Sequence, residues 1–316
     1  MAGSDKVLVI LNPVAGHGKS KSLMPLVEER LRRNGVEFQT ILTERPGHAQ
    51  ELAATAHLNG FRTIAAMGGD GTLSEVVNGL FTRYDGHIPA DIKLAAIPSG
   101  TGNDFLGGSH LSTDWTVAVD ALKDPEYKRV DVLEVSDSAG FRRYAANSLG
   151  IGYDAYVTGK VSQRGMGKVG PLGYMVEALR GLLYFNPVSA KVSISGAPPS
   201  TYDKMWLFAV TNSEKFGGGM RVSPGAKIDD GRLNYALLYG VPRKNLVGLI
   251  FLVRSGKHVG KPGVFLDTAT EVVLEVPQGF PCHIDGDTVD VTYPVTVKVL
   301  PGVLPFVVGA ASQSKA

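Results

Sequence analysis

Three glycine-rich loops carry residue types that can bind a phosphorylated ligand. They occupy residues 12–20, 67–72 and 98–105, and each follows a short apolar run. Glycine allows the main chain to approach a ligand closely, and the free N–H groups at the start of a helix can bind phosphate. Because parallel α/β sheets bind ligands beyond the carboxyl ends of their strands, the three loops predict a ligand site.

The first loop departs from the common phosphate-binding pattern. The pattern G-x-x-x-x-G-K-[ST] needs a glycine five residues before Gly18, and this chain has Pro13 there. Two interpretations of residues 12–20 therefore stay open: a phosphate-binding backbone turn, or an ordinary turn between a strand and a helix.

The second and third loops add side-chain oxygen atoms. Asp70 lies between glycines in the second loop, and the third contains Asn103 and Asp104. Two carboxylates and an amide suit a magnesium–nucleotide complex, since Mg²⁺ takes oxygen ligands and retains several waters. Asp131 would add a third carboxylate, although a single Asp in a strand is also a common surface residue. The alternative for Asp70 is a structural Asp-Gly turn.

An α/β domain in the first 130 residues must position these loops. Apolar runs alternate there with helix-period segments, as in successive βα units. We expect strands at 7–11, 37–42, 63–67 and 94–97, and helices at 20–33, 49–58, 73–81 and 115–122. The strands are apolar on both sides, which predicts a parallel sheet covered on both faces.

Closely spaced β-like runs replace this pattern from about residue 130. They cover residues 130–135, 142–149, 188–194, 204–211, 233–238, 272–276 and 291–300. Turn-forming residues separate most of them, which predicts an antiparallel sandwich or barrel. Two helices are expected at 172–184 and 244–258, and the domain boundary near 125–135.

Composition excludes several classes of protein. The chain has 316 residues, is 44% hydrophobic and balances 32 basic against 30 acidic residues. These values favour two folded domains over disorder and give no general case for nucleic-acid binding.

The one cysteine, Cys282, excludes a disulfide framework and indicates a reducing compartment. No zinc-protease or hydrolase motif is present, and the apolar stretches are shorter than the roughly 20 residues that span a bilayer. The sequence favours a soluble intracellular protein.

Five motifs together resemble a known family. NPVAG, GGDGT and PSGTGNDF are followed by NSLGIGYDA at 147–155 and HIDGD at 283–287. This series resembles the diacylglycerol kinase catalytic-domain family, and is most similar to its soluble bacterial lipid kinases, which are related to sphingosine and ceramide kinases. The resemblance implies an α/β, Rossmann-like (NAD-kinase-like) nucleotide-binding domain at residues 1–130 and a C-terminal antiparallel β-sandwich at 131–300 for the lipid substrate. In this family the chain end often returns to the first domain, which extends that expectation to residues 300–316.

The resemblance also implies ATP and Mg²⁺ as cofactors and assigns residues to them. The metal, bound partly through water, is expected at Asp70, Asp104 and Asp131. The residues expected to bind the nucleotide are Asn12, Pro13, Gly16, Thr43, Gly68, Gly69, Asp70, Gly71, Thr72, Gly100, Thr101 and Asn103.

The HIDGD motif is expected to serve the acceptor hydroxyl. Asp285 and Asp287 would point to the same face of an extended strand, but spacing alone favours an ordinary β-turn. The resemblance makes Asp285 the general base and places Asp287 where bacterial relatives often have Glu. Elsewhere, Asp230 matches a cation-binding segment of some relatives, but Lys227 stands where a carboxylate is expected, so no cation site is assigned.

Two windows without acidic residues, approximately 155–176 and 231–266, are candidates for contact with a membrane. Basic residues beside an apolar helix favour an anionic bilayer by about 1 kcal/mol each. The alternatives are a core helix at 244–258 and a mobile basic loop at 155–176. The basic residues are Lys160, Arg164, Lys168, Arg232, Arg243, Lys244, Arg254, Lys257 and Lys261.

The sequence therefore predicts an ATP- and Mg²⁺-dependent lipid kinase, with diacylglycerol converted to phosphatidic acid as the favoured reaction. Ceramide, a sphingoid base, phosphatidylglycerol and NAD are alternative acceptors, and a non-catalytic lipid- or nucleotide-binding module is the alternative from another class. The expected partner is a lipid substrate at a membrane surface, with no nucleic acid. The expected location is the cytoplasm, in peripheral contact with the inner face of the membrane.

Overall fold

The computed structural model describes residues 6–164 and 171–308. The chain divides into two compact units. The first unit contains the residues up to Val130 together with those from Gly302 onward, and the second contains residues 131–301. Two long strands, β5 (Glu126–Asp137) and β15 (Val295–Val308), contribute residues to both units.

The first unit is an α/β layer structure with a parallel sheet. The strands pair in the order β4-β3-β1-β2, with Leu11 opposite both Met67 and Leu42. Phe306 of β15 pairs in parallel with Leu94 and extends this sheet. The elements are β1 (Val7–Leu11), α1 (Lys19–Arg33), β2 (Phe38–Leu42), α2 (His48–Ala56), β3 (Thr63–Gly68), α3 (Asp70–Arg83), β4 (Lys93–Pro98), α4 (Asp104–Gly108) and α5 (Trp115–Asp120).

Burial explains why these runs form a parallel sheet. Every residue of β1 and β3 is buried, as expected for strands covered on both faces. On one face, Val27 and Leu31 of α1 pack against Val9 and Leu11 of β1. Elsewhere, α2 and α3 approach so closely that a Cβ on Gly79 would overlap the carbonyl group of Gln50. The packed helices fix the loops that follow the strands.

The second unit is built on antiparallel strands, in the order β14-β13-β7-β9-β8-β12-β15. Strand β10 also pairs with β9 and with β11. A buried apolar cluster drawn from most of these strands forms the core. The elements are β6 (Arg142–Ala145), β7 (Ser148–Gly152), α6 (Tyr153–Gln163), α7 (Pro171–Tyr184), β8 (Val188–Ile194), β9 (Ser200–Thr211), β10 (Leu233–Tyr239), α8 (Arg243–Val253), β11 (Val264–Ala269), β12 (Glu271–Glu275), β13 (Cys282–Ile284) and β14 (Asp287–Val289).

The structure differs from the sequence expectation at several elements. Residues 155–163 of the expected mobile loop belong to helix α6, which forms because Tyr153, Val157 and Val161 bury one side against Trp206 and its neighbours. The expected strand at 142–149 is two strands, interrupted at Ala146 and Asn147. The expected helix at 244–258 ends at Val253. Gly165, Gly167, Lys168 and Gly170, which also belong to the expected loop, lie outside the described residues. Among the helices described, none has the length and apolar character needed to cross a membrane.

Candidate active site

The three glycine-rich loops of the first unit begin side by side. The register places Met67 opposite Leu11 and Pro98 opposite Gly68, so the strands end at the same edge of the sheet. The Asn12 N–H donates to the Met67 carbonyl at 3.0 Å, and the Asn12 amide donates to the Thr72 hydroxyl at 3.2 Å. These bonds join the first loop to the second.

Backbone contacts join the second and third loops. The N–H groups of Ser99 and Gly100 donate to the Gly68 carbonyl at 2.9 and 3.0 Å. A Cβ on Gly69 would lie 3.2 Å from the Gly100 Cα, and a Cβ on Gly100 would overlap Gly69. The second and third loops can therefore pass each other only because Gly69 and Gly100 have no side chains.

A buried serine pair, which the sequence analysis did not identify, joins the first loop to the third. The hydroxyl oxygens of Ser20 and Ser99 are 2.5 Å apart. A Cβ on Gly16 would overlap the Ser99 carbonyl oxygen. A serine directly after Lys19 and another between Pro98 and Gly100 were the available signals, but no spacing rule pairs residues 79 positions apart.

The first and second loops lead directly into helices. Helix α1 begins after Gly18 and helix α3 after Gly69, and neither N-terminus is capped by a side-chain hydrogen bond. In α1, the N–H groups of Lys19 and Ser20 donate to the carbonyls of Gly16 and Ala15 at 3.2 and 3.3 Å. The first N–H groups of an α-helix have no partner within the helix and favour an anion. The start of α3, beside Gly68 and Gly69, is therefore better suited to phosphate oxygens than the start of α1.

The carboxylates of Asp70 and Asp104 both lie close to Gly102. A Cβ on Gly102 would be 3.1 Å from Asp70 Oδ2 and 3.7 Å from Asp104 Oδ1. Asp70 Oδ1 accepts the Phe105 N–H at 3.0 Å, which fixes the carboxylate. Two carboxylates this near to each other are stabilised by a divalent cation, whose remaining ligands would be water and phosphate oxygens.

The third predicted metal ligand, Asp131, belongs to the second unit. It is 1% exposed, and its Oδ2 accepts the Gly231 N–H at 2.8 Å. Across residues 6–164 and 171–308, no group of three or more His, Cys, Asp or Glu side chains is arranged to hold a metal. The role of Asp131 as a metal ligand stays a prediction, as do the other assigned site residues.

The remaining nucleotide candidates follow the same strand ends. The Thr43 N–H donates to the Leu11 carbonyl at 2.8 Å and continues the pairing of β1 and β2. Asn103 adopts φ +53 and donates its amide to the Gly100 carbonyl at 3.2 Å. Pro13 is half-buried, and Gly71 and Thr101 are exposed in the same loops.

In the second unit, Asp285 lies in a two-residue turn between β13 and β14. Its Oδ1 accepts the N–H groups of Asn147 and Ser148 at 3.0 and 2.7 Å, and its Oδ2 accepts the Ala146 N–H at 2.9 Å. Hydrogen bonds to a carboxylate favour its ionised form. The carboxylate is thus held by backbone N–H groups at and just after the interruption between β6 and β7.

Asp285 and Asp287 do not share one face of an extended strand. Asp285 and Gly286 have φ values of +48 and +88 and form the turn, while Ile284 pairs with Asp287 across it. The exposed Asp287 carboxylate accepts from the Arg143 guanidinium at 2.6 Å. The β-turn that the spacing favoured is therefore present, and the common face of an extended strand is not, because a positive φ at two successive residues reverses the chain.

The structure also identifies a buried acid–imidazole pair that the sequence analysis did not single out. His283 Nε2 lies 3.3 Å from Asp154 Oδ2, and both residues are inside motifs quoted for other reasons, HIDGD and NSLGIGYDA. The burial of this region also affects the neighbouring Cys282 thiol. Burial, aided by the Asp154 charge, raises the pKa of the Cys282 thiol to about 12, so this thiol stays protonated and is not a nucleophile at neutral pH.

Family comparison covers both units. A model described as diacylglycerol kinase catalytic domain matches residues 6–135, and a model described as YegS C-terminal NAD kinase beta sandwich-like domain matches residues 147–308. The chain belongs to the diacylglycerol kinase catalytic-domain family. It is therefore a lipid kinase, and the expected fold class, an α/β domain with a β-sandwich-like domain, is confirmed.

Relatives agree with this family, and a solved structure agrees with the fold. The protein YtlR of Bacillus subtilis (strain 168) is 28% identical over 299 residues, which cover 90% of this chain and 93% of that protein. A protein named diacylglycerol kinase from Staphylococcus haemolyticus (strain JCSC1435) is 29% identical over 279 residues, covering 88% and 81%. A crystal structure from Bacillus anthracis str. Sterne, 22% identical, matches the fold with a TM-score of 0.76 over 98% of this chain and 99% of that one.

Proposed function

We propose that this lipid kinase transfers the γ-phosphoryl group of ATP, as its Mg²⁺ complex, to the hydroxyl group of diacylglycerol. The observation that carries the proposal is the contact of three glycine-rich loops around Asp70 and Asp104. A Cβ at Gly16 or Gly100 would fill or distort this cradle, so the backbone there is kept bare. A bare, N–H-rich backbone with two carboxylates fits the phosphates and metal of a nucleotide.

Within the first unit, the loops would bind and orient the phosphate chain. The uncapped start of α3 supplies N–H donors, and the hydrogen bond from Asn12 to Thr72 holds the first two loops at a fixed separation. Mg²⁺, when bound, neutralises charge on the phosphate oxygens. Asp70 and Asp104 would hold it, partly through water.

Within the second unit, Asp285 would orient the acceptor hydroxyl and receive its proton. The acceptor oxygen forms a bond to the γ-phosphorus, the bond from that phosphorus to the bridging oxygen of ADP breaks, and the hydroxyl proton passes to the carboxylate. Three N–H donors hold this carboxylate in place. We place proton transfer late, which suits the loose transition state of phosphoryl transfer.

Diacylglycerol is the proposed acceptor because the Staphylococcus relatives of nearly full-length coverage bear that name. The test is transfer of labelled γ-phosphate from ATP·Mg²⁺ in mixed micelles to diacylglycerol, ceramide, a sphingoid base and phosphatidylglycerol, with NAD as a soluble acceptor. We expect labelled phosphatidic acid, and loss of label with Asp285→Asn or without Mg²⁺. Label on another lipid would replace the acceptor, label on NADP alone would refute the lipid substrate, and nucleotide binding without any transfer would favour a non-catalytic module.

We also propose that one surface of the second unit contacts the membrane. This α7–α8 surface consists of exposed apolar residues that recur at helical spacing, with basic residues near them. On α7 the apolar stripe repeats every three or four residues and ends with Leu183, which is 71% exposed. The surface comprises Val176, Leu179, Arg180, Leu183, Tyr184, Lys244, Val247, Phe251 and Arg254.

Exposure supports membrane contact over the core-helix alternative. Leu246 is the buried residue of α8, whereas Phe251 is 54% exposed. The basic residues divide into two sets. Arg243 donates to the carbonyl groups of Leu182 and Phe185 and so holds the end of α7, whereas Lys244 and Arg254 are exposed beside the apolar stripe of α8. Exposed cations at both ends of an apolar stripe match an anionic bilayer.

Vesicle sedimentation tests this surface. Binding should be stronger to phosphatidylglycerol-containing vesicles than to pure phosphatidylcholine, and should weaken in high salt. Leu183→Ser should weaken binding about tenfold, since burial of a leucine side chain contributes about 1.5–3 kcal/mol. Leu58→Ser is the matched control, because Leu58 is 62% exposed in the first unit. Equal binding by the two variants, or binding insensitive to salt, would refute the α7–α8 surface.

A further inference from the structure

The Asp154–His283 pair lies directly behind the turn that presents Asp285. His283 is on β13, two residues before Asp285, and is 2% exposed. The Gly286 N–H, on the far side of the turn, donates to His283 Nδ1 at 3.4 Å. An Nδ1 that accepts a hydrogen bond carries no proton, so the proton of the neutral ring is on Nε2. That nitrogen is the one that faces Asp154.

The opposite strand leaves space for this pair. Gly150 on β7 is the register partner of His283. A Cβ on Gly150 would overlap both Asp154 Oδ2 and His283 Nε2. Phe216 covers the imidazole from another side, with ring centroids 5.8 Å apart. The imidazole is therefore confined by Gly150, Phe216 and Asp154, and its orientation is fixed.

The buried Asp154 carboxylate has His283 as its charged partner when the imidazole is protonated. Asp154 is the second residue of α6, and both of its carboxylate oxygens are inaccessible to water. Within the part of the chain that the structure describes, neither oxygen accepts a hydrogen bond of ordinary geometry, and His283 is its ion-pair partner. Burying a carboxylate costs free energy that an apolar side chain of similar size would not. A role other than stability is the simplest reason for a carboxylate here.

We infer that Asp154 and His283 form a positioning pair for Asp285. The chain of contacts runs from Asp154 through the imidazole to Gly286, and so fixes the turn whose carboxylate receives the acceptor proton. Neither residue of the pair touches the acceptor, because the imidazole and both Asp154 oxygens are buried. The inference rests on the proposed role of Asp285.

A double-mutant cycle tests the pair. Asp154→Asn keeps the shape of the side chain and removes its charge. A displacement of about 1 Å at a reacting group can lower a rate about 100-fold, so we expect kcat to fall ten- to hundred-fold. The KM for ATP should not change, because the nucleotide loops belong to the other unit. Because Asp285→Asn removes transfer, the cycle is measured as the Tm of the second unit. In an Asp285→Asn background, Asp154→Asn should lower Tm by less than it does alone, since both residues act on the same turn.

A spectroscopic measurement makes the test independent of activity. In ¹⁵N-histidine-labelled protein, His283 should show the tautomer with the proton on Nε2, and its Nε2 signal should shift in Asp154→Asn. The exposed Asp203→Asn is the control variant and should change neither signal nor kcat.

Three results would overturn the inference: full kcat in a folded Asp154→Asn, additive losses in the cycle, or a proton on His283 Nδ1. Failure of the proposed function is distinguishable, because a wild-type protein inactive toward every acceptor would refute the function, while the nitrogen signals would still report on the pair.

Discussion

Replacing Asp285 by Asn should destabilise the second unit as well as abolish phosphoryl transfer. The carboxylate accepts three backbone N–H groups, two at Oδ1 and one at Oδ2. An Asn side chain has one acceptor oxygen. It can keep at most the two bonds from Asn147 and Ser148, now to a neutral oxygen, and it turns an NH₂ group toward the Ala146 N–H.

The loss of unfolding free energy in Asp285→Asn can be estimated from these hydrogen bonds. A hydrogen bond to a charged group contributes about 1.5–3 kcal/mol and one between neutral groups about 0.5–1.5 kcal/mol. The variant loses one charged bond and weakens two others by about 1–1.5 kcal/mol each, which together amount to about 3.5–6 kcal/mol before solvent is considered. Asp285 is only half-buried, so water compensates part of the loss, and we expect about 2–4 kcal/mol. At about 2–4 °C per kcal/mol for a unit of this size, Tm should fall by about 5–15 °C.

Tryptophan fluorescence can report this loss for the second unit alone. Trp206 is buried in the second unit and Trp115 belongs to the first. Thermal unfolding is therefore followed in a Trp115→Phe background, with Asp203→Asn as the control. In protein that keeps Trp115, the increase in Tm that ATP·Mg²⁺ produces in the first unit should persist in Asp285→Asn. A Tm of the second unit within about 1 °C of wild type would show that the three N–H contacts contribute little, and would refute the reasoning.

Three further variants test the loops, the helix packing and a buried histidine. Gly100→Ala should weaken ATP binding at least tenfold by isothermal titration, because its Cβ would separate the second and third loops; unchanged affinity would contradict the cradle. Gly79→Ala should lower Tm, because its Cβ would overlap the Gln50 carbonyl, whereas Gly248→Ala on α8 meets no atom within 4 Å and should gain about 1 kcal/mol of helix propensity; equal effects would refute the packing argument. Burial lowers the pKa of His258, so the folded protein resists protonation of this side chain. The free energy of unfolding should therefore keep its full value above the unfolded pKa of about 6.5 and fall by up to about 1.4 kcal/mol per pH unit below it. Thermal melts at pH 5–8 should show this slope in the wild type and not in His258→Gln.

Periodicity predicted most of the first unit because its signals are local. Strands β1, β3 and β4 each lead into a glycine-rich turn, and the expected strands agree with the observed ones to within one or two residues. The contacts between the loops were not visible in the same way. Ser20 and Ser99 meet only after three strands have been placed in register, and no pattern within one segment encodes that meeting.

The second unit was predicted less completely because long-range packing overrides local preference there. Helix α6 contains Gly159 and has a weak apolar pattern, yet it forms because Val157 and Val161 bury against Trp206 and Phe185. Arg243 was expected among the cations facing a membrane, but it supports the end of α7. Its sequence position, next to Lys244, does not distinguish the two roles.

The HIDGD segment could be taken either as a β-turn or as a catalytic motif, and the structure makes the two interpretations compatible. Asp285 and Gly286 form the turn, and the Asp285 carboxylate holds the chain break between β6 and β7. A carboxylate fixed by backbone groups presents its charge without a conformational search, which is what an acceptor-orienting group needs. The same contacts mean that loss of activity in an Asp285 variant is not by itself evidence of catalysis. Only a variant that stays folded and still binds ATP, yet transfers no phosphate, separates the catalytic role of Asp285 from its structural one.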